Sequence, residues 1–180
     1  MNSLKLPFHF DPEIIKKELA QFTKSDYTDI YNPSVTLETL WLKHFIVPIG
    51  GPYDEIKFVP NDALKKCPYL LSIFETFKCR TETFRVHTLD PGASIRPHND
   101  SGYSFEHGKI RLHIPVQTND KVEIILEGKP VRMKEGECWY CNFDILHEVH
   151  NRSDEPRIHL ILDCMVNDWM KDVFRSLNYN

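Results

Sequence analysis

Thr81-Glu82-Thr83-Phe84-Arg85-Val86-His87-Thr88-Leu89 is a run in which Phe84 and Val86 fall on one face of an extended chain and Arg85 and His87 on the other. Seven more short β-rich runs follow it: Ala93 to Pro97, Lys109 to Val116, Val122 to Leu126, Pro130 to Met133, Glu137 to Asn142, Glu148 to Asn151 and Pro156 to Asp163. Turn residues separate them at Asp90-Pro91-Gly92, Ser101-Gly102, Asn119-Asp120, Glu127-Gly128, Glu135-Gly136 and Arg152 to Glu155. Eight strands at this spacing, with no helix between them, predict a mainly β fold built as an antiparallel sandwich or jelly roll.

The flanks read differently. Asp11-Pro12 offers a capping carboxylate and a proline at the first helical position, and Ile14, Ile15, Leu19 and Phe22 follow at helical spacing, which predicts a helix from Pro12 to Phe22. Between Ser25 and Pro60, Pro33, Pro48, Gly50, Gly51, Pro52 and Pro60 punctuate apolar runs such as Leu40 to Val47, and the pattern predicts loops with one or two strands. A second helix is expected from Asp62 to Phe77, kinked or broken at Pro68, and a last one from Val166 to Leu177. The expected organisation is one domain: a helical and irregular support region over 1–80, a β core over 81–165 and a C-terminal helix over 166–180.

Composition narrows the function. At 180 residues with 41% hydrophobic residues the chain can bury a sizeable core, and its net charge of −4 provides no basic field for nucleic acid. No apolar run approaches the ~20 residues of a membrane span, and residues 1–10 lack the pattern of a secretory signal, so a soluble cytoplasmic protein is expected. The odd set Cys67, Cys79, Cys138, Cys141 and Cys164 sits in apolar segments, which favours reduced thiols. Cys138-Trp139-Tyr140-Cys141 matches C-x-x-C, but in a strand its two thiols face opposite sides and no second pair accompanies it, so it reads as packing.

Arg96-Pro97-His98-Asn99-Asp100 carries the chemistry. In an extended segment His98 and Asp100 share a face and can reach one metal ion together, and a histidine from a distant strand would complete a two-histidine, one-carboxylate facial set. Within His147-Glu148-Val149-His150 two histidines compete for that place, and their spacing forbids both from facing one way in a strand. Arg-x-His occurs three times, as Arg85 and His87, Arg111 and His113, and Arg157 and His159. Either one sheet face is solvated, or these strands line a barrel mouth where cations and hydrogen-bonding groups converge on an anionic ligand. Arg96, Asn99, Tyr103 and Trp139 flank the metal segments and are candidates for substrate contact.

Taken together, several blocks resemble the aspartyl/asparaginyl β-hydroxylase family of iron(II) and 2-oxoglutarate dependent oxygenases, including its free-proline hydroxylase relatives. They are Leu89-Asp90-Pro91-Gly92, Pro97 to Asp100, Arg111 to Pro115, Glu135-Gly136-Glu137, His147-Glu148-Val149 with Asn151, and Arg157 to Leu160, together spanning about residues 81 to 165. The resemblance implies a double-stranded β-helix, the cupin-like jelly roll, and hydroxylation of a carbon with release of succinate and CO2. It implies Fe(II), 2-oxoglutarate and O2 as cofactor and cosubstrates. His98, Asp100 and His147 would be the metal ligands, His147 being favoured over His150 by motif order and by the spacing to Arg157. Arg157 would hold the distal carboxylate of 2-oxoglutarate with help from His87, and Arg111 and His113 its other end. Asp100, absent at that place from the vertebrate-type aspartyl hydroxylases, shifts the expected substrate toward a small free amino acid, beside Asp, Asn or Pro residues in peptides. A cupin-like metal-binding protein or non-oxygenase metal enzyme on the same barrel is the alternative; it would need neither Arg157 nor 2-oxoglutarate. Oligomeric state is not legible from these residues.

Overall fold

The computed structural model describes residues 1–32, 35–46 and 56–179, with the backbone alone for 29–32 and 35–36. The loop expected around Pro33, Pro48, Gly50, Gly51 and Pro52 therefore lies outside the described residues. In chain order come β1 (Ser3–His9), α1 (Pro12–Leu19), β2 (Thr28–Asn32), β3 (Val35–Ile46), β4 (Lys57–Pro60), α2 (Asp62–Lys65) and α3 (Pro68–Thr76). The β core follows as β5 (Thr81–Leu89), β6 (Ser94–His98), β7 (Lys109–Gln117), β8 (Val122–Leu126), β9 (Lys129–Val131), β10 (Glu137–Cys141), β11 (His147–Asn151) and β12 (Arg157–Met165), closed by α4 (Asp168–Ser176).

Two antiparallel sheets result. One has eight strands in the order β1-β10-β7-β12-β5-β3-β2, with β4 on β3; the other has four, β6-β11-β8-β9. Facing sheets of this connectivity form the double-stranded β-helix. The strands of the large sheet alternate strictly, and each face has its own partner. On β12, Ile158, Leu160, Leu162 and Cys164 turn toward the helices, where with Leu112, Ile114, Phe84, Val86, Ile15, Leu70, Ile73, Met170 and Phe174 they build the main core. Burying each such aliphatic side chain contributes about 1.5–3 kcal/mol. The opposite face of the same strands turns toward the small sheet, and a smaller core of Leu89, Ile95, Ile124, Leu126, Phe143 and Val149 fills part of that gap. The rest of it holds the polar side chains of the site.

The N-terminal region is more β-rich than its sequence suggested. β1 is an edge strand paired only with β10, and its register slips between Leu6 and His9. Pro7 explains why alternation alone did not reveal it: proline cannot donate to a ladder and is tolerated only at an edge or bulge. The turn before β10 locks onto this strand's end, because Phe10 N–H donates to the Gly136 carbonyl at 2.9 Å. Gly136 has φ +81°, and a Cβ there would meet the Phe10 carbonyl at 2.3 Å, so only glycine fits. β3 occupies the Leu40 run, at twelve residues longer than expected.

The helices form where capping directs them. The Asp11 carboxylate accepts from Glu13 N–H at 2.9 Å and opens α1, which ends at Leu19 rather than Phe22. The expected helix over 62–77 is two helices, α2 and α3, with Pro68 at the first turn of the second. Cys138 and Cys141 are buried free thiols in the two different cores, as opposite-face packing requires. Among the described residues no helix is long and apolar enough to cross a membrane.

Candidate active site

Antiparallel pairing of β6 with β11 sets His98 directly opposite His147. Their rings lie 4.2 Å apart, centre to centre. Strand β6 ends at His98, so Asp100 lies just past it, and its place is fixed instead by its own N–H donating to the Phe143 carbonyl at 2.8 Å. One ligand atom from each of His98, Asp100 and His147 lies within 4.8 Å of the others. His150, the rival, faces elsewhere: its ring nitrogens meet Ser94 Oγ at 2.9 Å and Glu148 Oε2 at 3.1 Å.

The two triad histidines are held in one tautomer. His98 Nδ1 lies 2.8 Å from the carbonyl of Arg96, and His147 Nδ1 3.0 Å from that of Ile145. A carbonyl only accepts, so each Nδ1 carries the proton and each Nε2 presents a lone pair to the site. Burial keeps His147 below its ordinary pKa, favouring the neutral ring. Two imidazole nitrogens and a carboxylate on one side of a pocket are the donor set that suits ferrous iron with positions left open. The chain thus supplies a donor set and second-nitrogen partners that fit such an ion.

Behind the triad lies a cavity of about 150 Å³, lined among others by His87, Arg111, His113, Phe143 and Arg157. Arg157 is 2% exposed, and its hydrogen-bond partners among the described residues are imidazoles: its Nη2 donates to His159 Nδ1 at 2.8 Å and approaches His113 Nδ1 at 3.4 Å. Arg157 Nε and the Nε2 atoms of His113 and His159 have no partner among the described residues. Burial alone pushes the Arg157 guanidinium down to about 9. His113 and His159 are held well below their ordinary pKa, first by burial and then by the neighbouring arginine charges, and so stay neutral. A buried cation with neutral neighbours and orphaned donors, facing a cavity, is built for an anion.

Arg111 has a different environment. Its Nε donates to Asp163 Oδ1 at 2.7 Å, its Nη1 bonds the Asp100 carboxylate, and the guanidinium lies 4.2 Å from the centre of the Tyr103 ring. Asp163 also receives Arg85 Nη1 at 2.9 Å and the Thr83 hydroxyl at 2.7 Å. Burial opposes charge on Asp163, but Arg85 and Arg111 outweigh it and hold the carboxyl well below its usual range. Register creates this cluster, since Asp163 pairs with Arg111 on β7 and with Thr83 on β5.

The fold thus brings His87, His98, Asp100, Arg111, His113, His147 and Arg157 around one cavity. The three Arg-x-His pairs point between the sheets, not to solvent. Tyr103 stacks over Arg111, while the side chains of Arg96, Asn99 and Trp139 do not line the cavity; the Trp139 indole donates to Glu137 Oε2 at 2.8 Å. Sequence reasoning missed Asp163, Phe143 and the role of His159. Asp163 was detectable as a charge on the same β12 face as Arg157 and His159. Phe143, whose ring meets those of His147 at 4.7 Å and His113 at 5.0 Å, carries no such signal.

A sequence model of the aspartyl/asparaginyl β-hydroxylases matches residues 10–166. The chain belongs to this family. A stretch of 115 residues, 63% of the chain, is 32% identical to L-proline cis-4-hydroxylase of Rhizobium meliloti strain 1021, and spans only 41% of that relative's length. Among solved structures, a 2OG-Fe(II) oxygenase family oxidoreductase from Burkholderia pseudomallei superposes with a TM-score of 0.60 at 11% identity, covering 91% of this chain and 85% of its own. The viral collagen prolyl hydroxylase of Paramecium Bursaria Chlorella virus-1, solved with 2OG, gives 0.54 at 12% identity, covering 91% and 95%. These structural likenesses establish the shared fold.

Proposed function

We propose that this chain is an Fe(II)/2-oxoglutarate-dependent dioxygenase that hydroxylates a carbon of an amino acid, free or within a peptide. The observation that carries the reading is Arg157, a buried guanidinium without a carboxylate partner among the described residues, at the wall of the cavity that His98, Asp100 and His147 also line. A metal-binding protein that does not use a keto diacid has no need of that charge.

His98, His147 and Asp100 would hold Fe(II), the two imidazoles through the nitrogens left unprotonated and Asp100 through its carboxylate. When bound, iron supplies the coordination sites and redox chemistry by which O2 and 2-oxoglutarate become succinate and CO2, with one oxygen atom going to the substrate carbon. The protein's share is positioning. Arg157 pairs with the distal carboxylate of 2-oxoglutarate, and His87 and His113, both kept neutral by burial, offer hydrogen bonds without adding charge. Arg111, expected to hold the cosubstrate's other end, is clasped by Asp163 and binds the Asp100 carboxylate, and so also aims a metal ligand. A cytoplasmic enzyme acting on a small molecule is the setting that fits this chemistry.

The test is succinate release from Fe(II), 2-oxoglutarate and O2 with Asp, Asn, Pro and their peptidyl forms, together with 2-oxoglutarate binding to Mn(II)-loaded protein. Asp100→Ala and His98→Ala are expected to abolish succinate formation. Full activity in either variant, or no 2-oxoglutarate binding to the loaded wild-type protein, would refute the proposal.

A further inference from the structure

Of the three proposed metal ligands, Asp100 alone stands outside a strand: His98 ends β6, His147 begins β11, and Asp100 lies in the loop 99–108 that leads to β7. The far half of that loop is anchored on the main core. The Phe105 ring stacks on Phe174 at 4.4 Å, Phe105 N–H donates to the Tyr140 hydroxyl at 3.0 Å, and Val166 N–H donates to the Gly108 carbonyl at 2.8 Å. The near half, which bears Asp100, leans instead on the short segment 142–146 between β10 and β11.

Asp100 N–H donates to the Phe143 carbonyl at 2.8 Å, and Phe143 N–H donates to the Tyr103 carbonyl at 3.1 Å. One side chain of the segment strengthens this seam. Asp144 Oδ1 accepts from Gly102 N–H at 2.7 Å, and its Oδ2 lies 3.5 Å from His107 Nδ1, so a single carboxylate ties both halves of the loop to the segment. Asp144 is oriented in turn by its own N–H, which donates to Asn142 Oδ1 at 3.1 Å. The Ser104 hydroxyl, 2.9 Å from His107 Nδ1, holds the imidazole in place.

The Asp100 carboxylate has to serve two cations, Arg111 from β7 and the metal ion, and can do so only while the backbone keeps it between them. A hydrogen bond to an ionised acceptor is roughly twice as strong as a neutral one, and Asp144 applies it two residues beyond Asp100. We infer that Asp144 is a positioning residue of the metal centre, acting through Gly102 to hold Asp100 where its carboxylate meets the metal together with His98 and His147. This rests on the ligand set of the dioxygenase reading. Asp144 precedes His147 by three residues, so the segment that leads into one ligand strand also fixes the ligand that no strand carries.

The test is Co(II) binding to metal-free protein, read by the visible absorption of the bound ion, with urea unfolding of each metal-free variant alongside. Asp144→Ala is expected to bind Co(II) about 10–100-fold more weakly than wild type, with an absorption spectrum displaced from wild type's. Asp144→Asn keeps an oxygen for Gly102 N–H and should restore both affinity and spectrum. Should the alanine variant not fold, Asp144→Ser, whose hydroxyl stops one bond short of Gly102, carries the same expectation of weaker binding and a displaced spectrum. Wild-type affinity in a folded alanine or serine variant overturns the inference, as does an asparagine variant as impaired as the alanine one. So does a loss of affinity that only tracks the loss of folded protein while the spectrum stays intact. Asp100→Ala tests the assignment beneath: if it binds Co(II) as tightly as wild type, or wild type binds none, the ligand set falls and takes this inference with it. Tight wild-type binding that is lost in Asp100→Ala but kept in Asp144→Ala strikes the role of Asp144 alone.

Discussion

Replacing Arg157 by methionine should make the ligand-free protein more stable while removing its response to 2-oxoglutarate. Arg157 is 2% exposed, its hydrogen bonds among the described residues go to imidazoles, and burial lowers the guanidinium from the ordinary arginine range to about 9. At ~1.4 kcal/mol per tenfold change, that displacement corresponds to about 5 kcal/mol against the charged form, an upper bound once local relaxation is allowed. Exchanging buried charges for apolar groups of similar volume returns ~1–4 kcal/mol in other proteins, and about 2 kcal/mol is expected here. For a chain of this length each kcal/mol moves the melting temperature by ~2–4 °C, so the variant should melt about 4–8 °C higher. Wild-type protein loaded with Mn(II) should gain about 2.7 kcal/mol from 2-oxoglutarate at a hundred times its Kd, hence about 5–10 °C. Differential scanning fluorimetry of both proteins, with and without the keto acid, reads all four states. A variant that melts below wild type, or that 2-oxoglutarate still stabilises, would show that Arg157 is neither uncompensated nor the carboxylate anchor.

Two further outcomes follow from the buried charges. Asp163→Asn strips Arg85 and Arg111 of their shared partner and should cost about 3–5 kcal/mol in urea denaturation, because it leaves buried cations unmatched. The folded carboxyl lies below its unfolded pKa, so its contribution is fully present above about pH 4 and is lost as pH falls further; the gap between wild type and variant should be flat near neutrality and close only in acid. His113 and His159 have the same sign of dependence in a higher window: their folded pKa values lie well below 6.5, so the unfolded chain takes up protons first as pH drops. With His87 likewise held neutral, stability should then fall by up to about 4 kcal/mol per pH unit below about pH 6, with about a third of that slope removed in His159→Gln. A slope unchanged by that variant would mean that His159 titrates normally.

Legibility in this sequence followed alternation. β5, β7 and β12 were readable nearly to the residue because Phe84, Leu112, Leu160 and Leu162 repeat at period two against a polar face, and turn residues bound each run. β1 was hidden by Pro7, and the first half of β3 by the irregular composition around it. The clustering of His98, Asp100 and His147 was legible because His98 and Asp100 are neighbours in sequence and His147 stands in an ordered motif. The difference between Arg111 and Arg157 was not, since the two appear in the same Arg-x-His context.

What separates those two arginines is register. Arg111 lies across from Asp163 on β12, so its charge is answered within the sheet and raised above its ordinary pKa despite burial. Arg157 stands at the start of β12 opposite Leu89, and among the described residues no carboxylate pairs with it. One guanidinium is thereby committed to the Asp100 carboxylate, while the other has no carboxylate partner among the described residues. Moving a carboxylate to the Arg157 end of the cavity would satisfy that cation and erase the site without touching a metal ligand. The protein tolerates the cost of leaving Arg157 unanswered because the histidines beside it are neutral, and their neutrality in turn depends on burial and on the same arginine charges.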